Sequence, residues 1–208
     1  MALVVNADVH NQQFVIILAA GSSTRMGTCK TTLPWCEGKT LLTYQLEQWL
    51  IAGFTPVVVL GSHNHHRGSD CPAGSLVVIN PDASAGKTTS ILAGLQNIPT
   101  NAEILAISAV DQPRKLQIYQ QLLQAHKYNS ALITAPIYKS KIGHPLLFAK
   151  EIRPNLENIR EATLGLRQLI KEFYSLICKV DFDDPTVLLD INTLEEYLKA
   201  AIVFLNHA

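Results

Sequence analysis

The chain has 208 residues, 48% of them hydrophobic and 16% charged, which is enough apolar material for one sizeable core. Lys plus Arg equals Asp plus Glu at 17 each, so no field of one sign points to nucleic acid or a membrane surface as partner. No apolar run reaches the roughly 18 residues of a transmembrane helix. No basic and apolar leader opens the chain, and the four cysteines show no C-x-x-C spacing that would predict zinc or a disulfide framework. A cytoplasmic protein is the expectation.

Residues 1–12 read as a loosely ordered extension and 13–208 as a single domain. Val15-Ile16-Ile17-Leu18 reads as a buried parallel strand. Ala19, Ala20, Gly21, Ser22 and Ser23 follow, too small to keep a ligand from the backbone, so their N–H groups make a concave anion site. Arg25 and Lys30 add a planar fork and a point charge. Together these residues describe a triphosphate cradle; a tight strand-to-helix turn with two solvated cations is the other reading of them.

A helix is predicted over 41–52, capped by Thr40 and ended by Gly53, then a strand over 57–60. Residues 62–74 hold His63, His65 and His66 without a carboxylate or Cys at ligand spacing, and read as a solvated loop. After a strand at 76–79 comes Gly86-Lys87-Thr88, which mimics a Walker A loop. Pro81 stands where that motif needs its first glycine and withdraws an N–H, so Lys87 is not read as a P-loop lysine. The strand 104–107 delivers Asp111-Gln112-Pro113 to a strand end, where open α/β sheets bind ligands. From its residue type alone, Asp111 suits either a Mg²⁺ ligand or a turn-forming Asp.

A helix over 116–127, strands over 131–135 and 146–148, a helical pattern over 160–173 and a last strand over 187–189 complete the order. Thr193 and Glu196 make a capping box for a final helix, beside Asp190 and Asn192. Strands alternating with helices predict an α/β protein, a three-layer α/β/α sandwich around a mostly parallel sheet. Leu18, Asn80 and Asp111 should converge at the C-terminal ends of its strands.

Residues 18–30 read L-A-A-G-S-S-T-R-M-G-T-C-K. This resembles the signature L-A-A-G-x-S-x-R-M-G-x-x-K of the MobA-like nucleotidyltransferases at every fixed position. D-Q-P at 111–113 is similar to another motif of that family. Residues 80–95 resemble a third, with Lys87 in place of the usual Met. Gly143-His144-Pro145 resembles the end of its G-R-x-G-H-P, and residues 190–193 its D-I-D/N-T. Residues 162–167 depart from G-D-x-G-x-R, because Thr163 stands at the acidic position.

The resemblance implies a Rossmann-like nucleotidyltransferase fold. It implies a Mg²⁺-dependent enzyme that transfers an NMP from an NTP, CTP favoured, to a small phosphorylated acceptor and releases pyrophosphate. In the cytidylyltransferase branch that the chain resembles most, the acceptor is molybdopterin or the molybdenum cofactor, and a molybdoenzyme or its chaperone is the implied partner. Arg25, Lys30 and Asp111 take the catalytic roles, and Leu18, Ala19, Ala20, Gly21, Ser22, Asn80, Asp82 and Ser90 the nucleotide contacts. Asp111 and Asp190 are the implied metal residues, and Gly143, His144 and Pro145 the acceptor residues. Lys87 and Thr163 leave two alternatives open: transfer to a sugar phosphate or other metabolite, and a nucleotide-binding chaperone or regulator without catalysis.

Overall fold

The computed structural model describes residues 12–22 and 26–205. Strand β1 (Gln13–Leu18) lies in the middle of an eight-stranded sheet. It pairs in parallel with β2 (Thr55–Gly61) on one side and β4 (Ile104–Ala109) on the other. β2 continues in parallel to β3 (Leu76–Asn80). Beyond β4, the order runs through antiparallel β7 (Leu146–Ala149) to β5 (Ile133–Tyr138), which carries the short β6 (Lys141–Ile142) and, in parallel, β8 (Ile177–Asp181).

The period of two along β1 sends its side chains into two separate cores. Phe14, Ile16 and Leu18 pack with residues of α2 (Lys87–Leu95), α4 (Arg153–Glu157) and α5 (Leu166–Glu172). Val15 and Ile17 pack with α1 (Leu41–Ile51) and α3 (Leu116–Tyr128) on the other face. Helices on both faces explain why β2 is buried along its whole length and reads as an unbroken apolar run. A third cluster, with Trp35, Tyr44 and Phe204, seats α6 (Leu194–Leu205).

Local signals set the helix ends. The Thr40 hydroxyl accepts the Thr43 N–H at 3.2 Å and starts α1, while Gly53, at φ 87°, follows its last turn. The Thr193–Glu196 box forms reciprocally, with Glu196 N–H to the Thr193 hydroxyl at 3.2 Å and Thr193 N–H to the Glu196 carboxylate at 2.9 Å. Among the described residues, no helix is long and apolar enough to cross a membrane.

Several expectations are corrected. Residues 187–189 are not the last strand: Pro185–Leu188 is a 3₁₀ turn. Pro185 has no N–H for a ladder, and Asp184 caps the turn by accepting the Thr186 N–H at 2.8 Å. The strand in that region is β8, paired in parallel with β5. The helical pattern over 160–173 breaks at Leu164 and Gly165, with φ of 64° and 53°, and only Leu166–Glu172 is α-helical. The strand expected at 131–135 is displaced to Ile133–Tyr138. Within 62–74, His65–Asp70 is a 3₁₀ helix and Asn64 is buried. Apart from Gln12, the expected N-terminal extension lies outside the described residues.

Helix α2 approaches β1 closely enough that a Cβ on Gly94 would lie 2.7 Å from the branch methyl of fully buried Ile16. Overpacking of this kind costs about 1–3 kcal/mol, against a helix-propensity gain of about 1 kcal/mol for Ala over Gly. The balance is a net destabilisation of up to about 2 kcal/mol in Gly94→Ala. A raised urea midpoint in that variant would contradict this packing.

Candidate active site

The strand order places a crevice where β1 and β4 part. From β1 the chain moves outward through β2 and β3, then returns to the other side of β1 as β4. Connections leaving these two neighbours diverge to opposite sides, which opens the sheet at their C-terminal ends. Leu18 is paired with Ala109, after which the Ala19 N–H turns to the Val59 carbonyl at 2.9 Å. Because β7 runs antiparallel to β4, with Ile107 opposite Leu146, the residues just before it arrive at the same end.

A cavity of about 780 Å³ fills this crevice. One wall is the small-residue turn Leu18, Ala19, Ala20, Gly21 and Ser22, with Lys30 beside it. The floor carries Asp111, Gln112, Asp190 and Asn192; the far wall carries His144, Leu166, Arg167 and Ile170, with Lys87 and Ser90 between. Buried Asn64 braces the turn, accepting the Gly61 N–H at 2.8 Å and donating to the Ala19 carbonyl at 2.9 Å. Gln45, fully buried, donates to the Ala109 and Val110 carbonyls at 3.2 and 2.9 Å and braces the end of β4.

Lys30 is not a solvated cation: only 12% of its side chain is exposed. Its ammonium donates to Asp111 at 2.6 Å and to the Asn192 side-chain oxygen at 3.0 Å. Gln112 donates to Asp190 at 2.7 Å and accepts the Ala109 N–H at 3.1 Å, so Asp190 is held from the strand that delivers Asp111. Asp190 has an exposed edge, yet the protein packed around its carboxyl raises its pKa above the usual aspartate value, against the pull of Gln112. Asp111, Asp190 and Asn192 present hard oxygens, the donor type suited to Mg²⁺, and the Lys30 ammonium already sits between two of them, Asp111 and Asn192. The described residues hold no group of three or more His, Cys, Asp or Glu side chains able to bind a metal, so most remaining ligands would be substrate oxygens and water.

Other expected site residues are placed differently. Arg25 and Ser23 lie outside the described residues. Asn80 and Asp82 do not line the cavity: buried Asn80 donates to Thr89 and Ser90 at 2.9 and 3.0 Å and accepts the Asp82 N–H, so it organises the turn behind Ser90. Gly143 and Pro145 lie behind the wall that His144 reaches. A Cβ on Gly143 would stand 2.1 Å from the Val187 carbonyl oxygen, so glycine permits two backbones to touch there. At the start of α2, where a P-loop would hold a phosphate, the Glu161 carboxylate accepts the Thr88 N–H at 2.9 Å. His63, His65 and His66 form no metal group. Gln112 was marked only as part of D-Q-P, and Asn64 and Gln45 carried no sequence signal, because the Ala19, Ala109 and Val110 carbonyls they hold are distant in the chain.

Comparison with known proteins follows the same outline. A family model described as the MobA-like NTP transferase domain matches residues 15–177. Molybdenum cofactor cytidylyltransferase of Escherichia coli K12 is 28% identical over 199 residues, covering 89% of this chain and 93% of that protein. Nicotine blue oxidoreductase of Paenarthrobacter nicotinovorans is also 28% identical, covering 87% of this chain and 92% of its own. The crystal structure of a homologue of Mycobacterium tuberculosis Rv0371c, from Mycobacterium sp. strain JC1, superposes with a TM-score of 0.80 at 23% identity, covering 96% and 100% of the two chains.

Burial lowers the pKa of His144 to about 4, and the nearby charges of Arg114 and Lys87 push it the same way. The imidazole is thus neutral at pH 7 and meets a ligand as a hydrogen-bonding group rather than a cation. An NMR titration of the His144 ring should show no protonation step between pH 8 and about 5. A midpoint near the ordinary histidine value would mean that the cavity is wetter than its walls indicate.

Proposed function

Because the chain belongs to the MobA-like NTP transferase family, we propose that it transfers a nucleoside monophosphate, CMP first, from an NTP to a phosphorylated acceptor. The observation that carries this reading is the Lys30–Asp111 pair, set beneath a small-residue turn at the switch point of the sheet. Main-chain N–H groups of Ala20, Gly21 and Ser22 offer neutral donors to phosphate oxygens, and Lys30 offers the charge. The acceptor phosphate oxygen attacks the α-phosphorus of the NTP. A new P–O bond forms, and the bond from that phosphorus to the bridging oxygen breaks, with pyrophosphate leaving with the electron pair. Such a displacement needs positioning and charge neutralisation more than covalent help.

Asp111 and Asp190, with Asn192 beside them, would hold Mg²⁺, which when bound neutralises phosphate charge. Arrival of a triphosphate gives the Lys30 ammonium an anionic partner other than Asp111. The cavity, about 780 Å³, is in the size range of ligand sites and leaves the His144–Arg167 wall for the acceptor. Similarity to the E. coli molybdenum cofactor cytidylyltransferase supports CTP and a molybdopterin-type acceptor. Equal similarity to an oxidoreductase makes pyrophosphate release the measurement that matters, since redox chemistry produces none.

Lys30→Ala should lower turnover about a hundred- to a thousandfold, the usual effect of losing one preorganised donor. Asp111→Asn keeps an oxygen for Lys30 to donate to but loses the anionic anchor for the metal. It should reduce pyrophosphate release to near background while the melting temperature changes by a few degrees at most. Full activity of Asp111→Asn at ordinary Mg²⁺ would move the metal site, with Asp190 next in line. Absence of pyrophosphate from the unaltered protein with every NTP and acceptor tried would end the transferase reading.

A further inference from the structure

Arg114 follows D-Q-P directly and is wholly buried, with 0% of its surface exposed. Among the described residues its side chain makes no ion pair; its guanidinium instead binds four main-chain carbonyls from three separate segments. Nε donates to the His144 carbonyl at 2.9 Å and Nη1 to the Pro113 carbonyl at 2.8 Å. Nη2 donates to the carbonyls of Val187 and Leu189 at 2.9 and 3.0 Å. Each of these segments carries a residue of the cavity: Asp111 and Gln112 before Pro113, His144 itself, and Asp190 just after Leu189.

Two further bonds close the same network: the His144 N–H to the Val187 carbonyl at 3.0 Å, and the Ile191 N–H to the Asp111 carbonyl at 2.9 Å. A guanidinium is the side chain suited to this task, because its five donors lie in one rigid plane. Lysine has three donors on a flexible stem and cannot satisfy four carbonyls in fixed directions. Burying the charge is expensive, as its depressed pKa of about 10 indicates, and a shorter apolar side chain would have sufficed for packing alone.

We propose that Arg114 is the positioning residue of this site, setting the spacing between the two carboxylates, Asp111 and Asp190, and the acceptor wall at His144. This rests on the nucleotidyltransferase reading for its kinetic consequence, but not for its geometry. The nucleotide turn after β1 makes no contact with Arg114 through these bonds, so the effect of altering it divides by side. Metal and acceptor binding respond, and nucleotide binding does not.

The test uses the whole chain and two variants, Arg114→Lys and Gly143→Ala. In the second, the new Cβ would meet the Val187 carbonyl oxygen, which Arg114 holds, and force it to shift. Thermal melts first define a temperature at which all three proteins are folded. Mn²⁺ binding, followed by electron paramagnetic resonance, should weaken about tenfold in both variants, while metal-free affinity for CTP, followed by calorimetry, stays within about twofold. Where the unaltered protein releases pyrophosphate, kcat in Arg114→Lys should fall about a hundredfold at constant KM for CTP, as expected for a displacement of about 1 Å. Folded variants with unchanged Mn²⁺ affinity would overturn the inference, and so would the failure of both to fold, which assigns the network to stability. If the unaltered protein binds no CTP, the proposed function fails while the Mn²⁺ comparison still decides the role of Arg114. If it binds no Mn²⁺, the spacing serves no metal and the inference falls as well.

Discussion

Everything at the cavity depends on the parting of β1 and β4. Paired in parallel as far as Leu18 and Ala109, they send their continuations to opposite sides, because the chain has placed β2 and β3 on one side of β1 and β4 on the other. A parallel pair whose connections diverge cannot close its own end. The space left is lined from β1 by residues too small to fill it and from β4 by a carboxylate. Antiparallel β7 completes the enclosure, since only a strand running the other way can present the residues preceding it, His144 among them, at that end.

Charge is used sparingly in the interior, and in two distinct ways. Lys30 and Asp111 pair across the cavity with only 12% and 21% of their side chains exposed, an arrangement that a triphosphate and a cation can reorganise without leaving either charge unmatched. Arg114, by contrast, is used on main-chain carbonyls, and Arg153 binds carbonyls as well as the Glu157 carboxylate at 2.8 Å. Arg153 donates to the carbonyls of Leu95, Ile98 and Pro99 and closes the far end of α2, as Arg114 closes the loops of the site. Irregular backbone buried between strands has carbonyls with no ladder partner, and a planar fork satisfies several at once.

The departures at Lys87 and Thr163 belong to one neighbourhood. Glu161 caps α2 beside Lys87, and a Cβ on Gly165 would lie 2.5 Å from the Thr88 hydroxyl, so the 3₁₀ turn at Glu161–Thr163 is pressed against the start of that helix. The far wall of the cavity is therefore a contact between two segments that are distant in sequence. Its chemistry follows from both.

The sequence by itself determined the elements whose signals are local: β1, β2 and β4 from their apolar runs, α1 from Thr40 and Gly53, and the start of α6 from its capping box. The place of the small-residue turn was legible in the same way, because it follows directly on the apolar run of β1, and that of Asp111 from its position after β4. Short apolar runs were not decisive, since Val187 and its neighbours have the composition of a strand and the cap of a turn. Only the tertiary structure decided that Asn80 and Gly143 organise backbone behind the cavity, that Lys30 is partnered rather than exposed, and that Arg114 ties three segments together. The physical reason is common to all of these: their partners are carbonyls, amides and carboxylates brought near by the strand order. Main-chain groups are the same at every residue, so nothing in a sequence marks which of them will meet.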